Sequence, residues 1–316
     1  MSVSNEWCAG FFRGGNGRNL YRPSAAGIDD CNRSRLHRVL SGMTNYIRVG
    51  VQLWPGGTPD YQTWREAVLK SDELGVDAIF GYDHFHKPFT APPEDGLPRL
   101  LPEQPDVNNF EGWTSLASWA EITSQAEIGL LVTGVGYRNP DLLADMARTV
   151  DHISGGRLIL GLGSGWYEKD YSVYGYDYGT VGSRMDLFED SLARIEHRFT
   201  KLVPPPVRHI PVLIGGMGVK RTLPIVAKHA DVWHTFASVP EFQRKNAMLK
   251  DLVSAAGRDE QTIERAVQWT GRDDADAFLG EGVTLFTTEI RPDSDGYDFS
   301  EVETMLAWRE HYDIRR

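Results

Sequence analysis

The sequence predicts an α/β fold, a single closed (β/α)8 TIM barrel, and three observations carry that reading. Eight short apolar runs alternate with eight amphipathic segments from about residue 46 to residue 316. The runs are continuously apolar rather than alternating, as strands buried on both faces are. An open doubly wound sheet usually holds five or six strands, so eight in strict alternation favour closure.

In chain order, Ile47–Leu53 reads as the first strand, ending in Trp54-Pro55-Gly56-Gly57, and Trp64–Leu74 as the first helix, stopped by Gly75. Asp77–Gly81 is the second strand, ending in Tyr82-Asp83-His84-Phe85-His86. Lys87–Glu111 is a loop rich in Pro and acids, longer than a plain connection needs. Gly112–Gln125 follows as a helix. Ile128–Val132 and Leu158–Leu162 are strands flanking a helix opened by Asn139-Pro140 and closed by Gly155-Gly156. That βαβ unit makes its two strands parallel and adjacent. Val181–Phe199 is a helix and Pro204–Pro206 a stiff linker. Pro211–Ile214, Asp231–His234, Thr262–Trp269 and Val283–Glu289 complete the strands. A helix ending at Ala230 and those over Pro240–Ala256, Asp273–Leu279 and Phe299–Tyr312 complete the alternation.

Residues 1–45 differ from the rest, with six Arg against three acids and no periodicity. They read as a flexible or extended N-terminal segment, or an upstream extension with Met43 as the true start, and residues 46–316 as the barrel domain. A basic anchoring arm is the functional alternative, but scattered Arg make no helix face. The net charge of −11 argues against nonspecific nucleic-acid binding. No run approaches the ~20 apolar residues of a membrane span. Cys8 and Cys31 are the only cysteines, so a disulfide framework is not expected and a cytoplasmic setting is the default.

In such barrels chemistry sits where strands end. Those ends are Trp54, Asp83-His84, Thr133-Gly134-Val135, Gly163-Ser164-Gly165-Trp166, Gly215-Gly216-Met217, His234, Trp269 and Glu289. Gly-Ser-Gly lacks the spacing of a nucleophile elbow, and Gly161-x-Gly163-x-Gly165 is not the dinucleotide fingerprint. Gly215-Gly216 before a helix suits a phosphate, with a tight turn as its plain alternative. His84 beside Asp83 suits general acid–base work near neutral pH. His84-x-His86 is also a metal-ligand spacing, but strand five ends in glycines and strand eight offers only Glu289, so no metal site is assigned.

Together the ends resemble the luciferase-like monooxygenase superfamily, especially its coenzyme F420-dependent oxidoreductase branch. The resemblance rests on Val49-Gly-Val-Gln-Leu-Trp54, Tyr82-Asp-His-Phe85, Thr133-Gly-Val135 with Tyr137-Arg-Asn-Pro140, and Asp151-His-Ile-Ser-Gly-Gly-Arg-Leu158. It continues through Gly161-Leu-Gly-Ser-Gly-Trp166, Pro211-Val-Leu-Ile-Gly-Gly216 and Ala307-Trp-Arg309. It implies F420 at the strand C-termini, its ring against Thr133, Gly134 and Val135, where relatives often carry a non-prolyl cis peptide. It further implies ring contact by Asp83, a substrate proton handled by His84, and Gly163, Ser164 and Gly165 along the ring. Gly215, Gly216 and Met217 would hold the phosphate, with Trp54, Tyr137, Trp166 and His234 lining the substrate side. Trp166 stands where some sugar-phosphate dehydrogenases of this branch carry an acid, so their second acid–base group is missing. The short Thr200–His209 segment leaves the Lys87–Glu111 loop as the candidate lid. FMN with monooxygenase chemistry is the alternative, followed by a non-catalytic flavin-binding barrel and a metal-dependent hydrolase. A homodimer and a separate F420 or flavin reductase supplying reduced cofactor are the expected partners beyond a small-molecule substrate.

Overall fold

The computed structural model describes residues 46–94, 97–102 and 104–314, so the expectations for residues 1–45 lie outside the described residues. From β1 (Arg48–Leu53) the chain passes through α1 (Tyr61–Leu74) and β2 (Ala78–Gly81) into a small hairpin, β3 (Thr90–Glu94) and β4 (Leu97–Leu100). It returns through α2 (Gly112–Ile122) to β5 (Glu127–Leu130) and β6 (Thr133–Gly134). Next come α3 (Pro140–Ser154), β7 (Leu158–Gly163), α4 (Glu168–Tyr174) and α5 (Val181–Phe199). The remainder is β8 (Val212–Gly215), α6 (Thr222–His229), β9 (Val232–Thr235), α7 (Val239–Ala255), β10 (Glu264–Gln268), α8 (Arg272–Gly280), β11 (Val283–Ile290) and α9 (Ser300–Ile314).

Apart from the hairpin, the strands form one parallel sheet in the order β5-β2-β1-β11-β10-β9-β8-β7-β6, and an additional β5–β7 pairing closes it. β5 and β6 are two halves of one interrupted stave, so the barrel has the eight staves the alternation predicts. Side chains alternate across each stave. Ala78, Phe80, Ile159, Leu213, Val232, Ala266 and Leu285 fill the barrel interior. The outward set, such as Val49, Val51, Leu53 and Trp233, packs with helix residues Trp64, Trp119, Phe188 and Phe242 into the larger core. At the N-terminal end Arg48 ties β5 and β10 together, reaching Glu264 at 2.5 Å and Glu127.

Three expectations are revised. The third stave does not run unbroken from Ile128 to Val132: it stops at Leu130 and resumes at Thr133. The Lys87–Glu111 stretch is not only loop, because β3 and β4 pair within it. A helix absent from the sequence reading, α4, lies between β7 and α5, closed by Gly175 in the left-handed conformation.

Candidate active site at the strand C-termini

The interruption of the third stave shapes the mouth. Gly129 pairs with Ile159, thirty positions on, but Thr133 pairs with Leu162, twenty-nine on. One extra residue is therefore accommodated at Leu131-Val132, whose peptide bond is cis. Leu131 and Val132 pack onto the interior cluster from above. A Cβ on Gly163 would lie 2.8 Å from Val132 Cγ2, so this glycine admits the bulge. The expected cis bond is present one step earlier than the Thr133–Val135 segment. Thr133 itself faces away from the mouth, its buried hydroxyl accepting from Trp113 Nε1 at 3.0 Å. Val135 belongs to the outer core, and Gly134 lies under the Tyr137 ring. The side chains presented at this wall are thus Leu131 and Val132.

His84 stands at the end of the second stave, its ring edge-on to Tyr82, Trp166 and Tyr167 at 5.4–5.6 Å. Its Nδ1 donates to Asp170 Oδ2 at 2.7 Å, and His86 Nδ1 donates to Oδ1 of the same carboxylate at 2.9 Å. The backbone N–H groups of Phe85 and His86 and the Tyr137 hydroxyl also donate to Asp170. Burial pushes the pKa of Asp170 up, but the hydrogen bonds from His84, His86 and Tyr137 outweigh it and hold the carboxyl below its ordinary range. An ionised carboxylate only accepts, so both Nδ1 atoms carry protons. For His84 this leaves Nε2, on a side chain 15% exposed, as the nitrogen offered to a ligand. The His84-x-His86 spacing serves a shared carboxylate. Among the described residues no cluster of three or more His, Cys, Asp or Glu is placed to hold a metal ion.

Asp83 does not reach the mouth. Its side chain is buried, and Arg138 grips both oxygens, at 2.5 and 2.9 Å, while also reaching Glu111 at 2.6 Å. Burial pushes the Asp83 carboxyl up to about 6, against the pull of Arg138. Glu111 in turn caps α2, accepting from the backbone of Trp113 and Thr114. The expectation that Asp83 touches a ring gives way to a carboxylate spent on Arg138.

Of the four expected substrate-side residues, only Trp166 is partly open. Trp54 is 6% exposed and lies under the Arg291 guanidinium, 4.1 Å from the ring centre. Tyr137 is 4% exposed and committed to Asp170. His234 is 1% exposed because the alternation on β9 turns it into the barrel. There its Nε2 meets Thr287 Oγ1 at 2.8 Å, and burial pushes its pKa down to about 4. Ser164 and Gly165 are partly exposed, as are Gly215 and Gly216; Met217 is buried. Gly165, at φ +80°, leaves room for Tyr171, whose buried hydroxyl finds no partner among the described residues. Two clefts flank α4. One of about 320 Å3 is lined by Phe85, Tyr137, Tyr174 and Tyr176 over Glu111 and Arg138. The other, of about 410 Å3, lies between α4 and the β3–β4 hairpin.

Residues 45–271 match the model of the luciferase-like monooxygenase family. The chain belongs to that family. This luciferase-like chain is 27% identical over 210 residues to an uncharacterized protein of Mycobacterium tuberculosis, covering 61% of the chain and 74% of that relative. It is 26% identical over 253 residues to a phthiodiolone/phenolphthiodiolone dimycocerosates ketoreductase of the same species, covering 71% of the chain and 65% of the relative. Among solved structures, an F420-dependent secondary alcohol dehydrogenase in complex with an F420-acetone adduct superposes with TM-score 0.65. The identity is 14%, over 77% of this chain and 93% of that one. The oxygenating constituent of 3,6-diketocamphane monooxygenase from Pseudomonas putida, in complex with FMN, superposes with TM-score 0.55 at 15% identity, over 71% and 67%. As a luciferase-like enzyme the chain is an oxidoreductase of a family whose structural neighbours use F420 or FMN.

Asp170 and Arg138 are what sequence reasoning missed, and the bulge it expected at Thr133–Val135 sits at Leu131-Val132. For Asp170 a signal existed: Glu168 and Asp170 in a first turn, followed by Gly175, mark a short helix.

Proposed function

We propose that this protein is an F420-dependent oxidoreductase that interconverts a carbonyl compound and its alcohol. The observation that carries the reading is the His84–Asp170 pair at the end of the second stave, where the buried carboxylate holds Nδ1 and leaves Nε2 for a ligand. The mouth fits a deazaflavin: an apolar bulge can back a flat ring, and Ser164 and Gly165 offer a partly open edge. Gly215 and Gly216 lack side chains where a phosphate would approach. Gly163 serves by admitting the bulge, and Thr133, Gly134 and Val135 support it from behind. Met217 closes the phosphate end, and Trp166 flanks the substrate.

When bound, F420 supplies or accepts the hydride, which is the cofactor's own chemistry. His84 Nε2, as imidazolium, delivers a proton to the carbonyl oxygen; as neutral imidazole it removes one from the alcohol. Asp170 holds the ring in the Nδ1–H tautomer, which leaves Nε2 to the substrate. The secondary alcohol dehydrogenase among the structural neighbours and the ketoreductase among the relatives support this chemistry. We further propose a homodimer and a separate reductase that returns the cofactor to its reduced form.

Equilibrium titration with F420 and with FMN, followed by absorbance and mass spectrometry, tests the reading. Micromolar F420 binding and secondary-alcohol oxidation are expected. FMN binding with no affinity for F420 would overturn it in favour of the flavin monooxygenase alternative.

A further inference from the structure

We propose that the cleft between α4 and the β3–β4 hairpin holds a hydrocarbon chain of the substrate, so that the reactive carbon at His84 belongs to a long-chain ketone or alcohol. This rests on the reading of His84 as the proton-handling group. The cleft, about 410 Å3, is within the range of small-ligand pockets; Phe89, Leu100, Leu101, Pro102, Tyr167 and Val173 line it together with Gln104, Glu168, Lys169 and Ser172. Leu100, Leu101 and Val173 are 48%, 43% and 60% exposed. Single exposed aliphatics are ordinary, but three on one concave surface form a patch that a ligand can cover.

Position ties this patch to the chemistry. Tyr167, on the inner wall, stands edge-on to the His84 ring at 5.6 Å, so one side chain separates the cleft from the proposed proton-handling group. The polar rim does not ask for an anion, because the Lys169 ammonium is spent on Asp106 at 2.8 Å. The smaller cleft over Arg138 is the poorer host for hydrocarbon, since it would cover the ion-paired Arg138 and Glu111 and remove their solvent.

The test uses a homologous series of 2-alkanones from acetone to 2-tridecanone. In the wild-type protein kcat/KM with reduced F420 should rise roughly two- to fourfold per added methylene until the cleft is filled. The Leu101→Asp/Val173→Asp double variant should flatten that rise, and the milder Leu101→Ser should weaken it. Val203→Asp, at a site 90% exposed on the α5–β8 connection, should leave it intact. The same series is titrated against cofactor-free protein by tryptophan fluorescence, where the dissociation constant should fall by a similar factor per methylene. A dissociation constant independent of chain length, or a slope that survives the double variant, overturns the proposal. A normal slope in binding without turnover supports the cleft and overturns only the catalytic reading.

Discussion

A carboxylate holding two imidazoles separates their duties, because His84 stands against Trp166 and His86 against Tyr174. Replacing His84 by Ala should lower kcat by about 10²–10⁴, the usual worth of a positioned acid–base group, with a smaller change in KM. Asp170→Asn should act through His84: a loss of roughly tenfold or more in kcat, with a displaced pH–rate profile and little change in cofactor affinity. Stopped-flow hydride transfer measured across pH checks both, and an unchanged profile in Asp170→Asn would remove its positioning role. Asp83 and His234 set opposing pH dependences of stability. Between about pH 4 and 6.5 the unfolded state binds the His234 proton more tightly than the fold does, so this group weakens the fold as pH falls through that window. Asp83 is the reverse: its folded value of about 6 exceeds the ordinary 3.8, so its contribution is greatest below pH 3.8 and is lost as pH rises through 6. Each effect integrates to on the order of 3 kcal/mol. Denaturation from pH 4 to 7 should show His234→Gln losing less stability in acid than wild type, and Asp83→Asn losing more. Identical slopes for all three proteins would refute the assignment.

Element by element, the site depends on how short segments are seated. α4 spans two turns, too few to persist without tertiary support, yet it supplies Asp170. Its seat is the pair Gly136 and Gly165: a Cβ on Gly165 would run into the Tyr171 hydroxyl, and one on Gly136 would lie 2.8 Å from the ring. Gly165→Ala should therefore cost about 2–3 kcal/mol, combining a positive φ with a clash, and should lower kcat by displacing Asp170. A crystal structure of the variant with α4 unmoved would contradict this. At α2, Glu111 is both cap and ion partner. Glu111→Ala should cost about 1–2 kcal/mol by thermal or urea unfolding.

Across the whole molecule, stability and chemistry occupy opposite ends of the barrel. At the N-terminal face Arg48 bridges Glu127 and Glu264, and Arg208 reaches Glu127 as well. Arg48→Met would leave two half-buried carboxylates facing each other, so a loss of about 3 kcal/mol is expected. Cofactor affinity at 20 °C should be unchanged, which urea unfolding alongside an F420 titration would check; a weakened cofactor site would show the two ends to be coupled.

The eight-fold alternation was legible because burial on both faces forces continuous apolar strands and one-sided helices, and both periods are local. Asn139-Pro140 and Gly155 marked α3 from the residue types alone, and the structure has Asn139 accepting at its N-terminus and Gly155 left-handed at its end. His84 was legible as the imidazole at a strand end, but its partner was not. Asp83 is its neighbour in sequence, yet past the end of β2 its side chain is buried and Arg138 captures it instead. Asp170 reaches His84 across 86 positions, through a helix too short to declare itself by periodicity. Likewise Leu131 and Val132 read as ordinary strand residues, because a one-residue shift in pairing leaves no trace in hydrophobicity. The alternation of strand and helix and the chain reversals are thus written in local pattern, whereas which strand residues face inward and which carboxylate meets which base are decided only when the barrel closes and brings distant loops over one mouth.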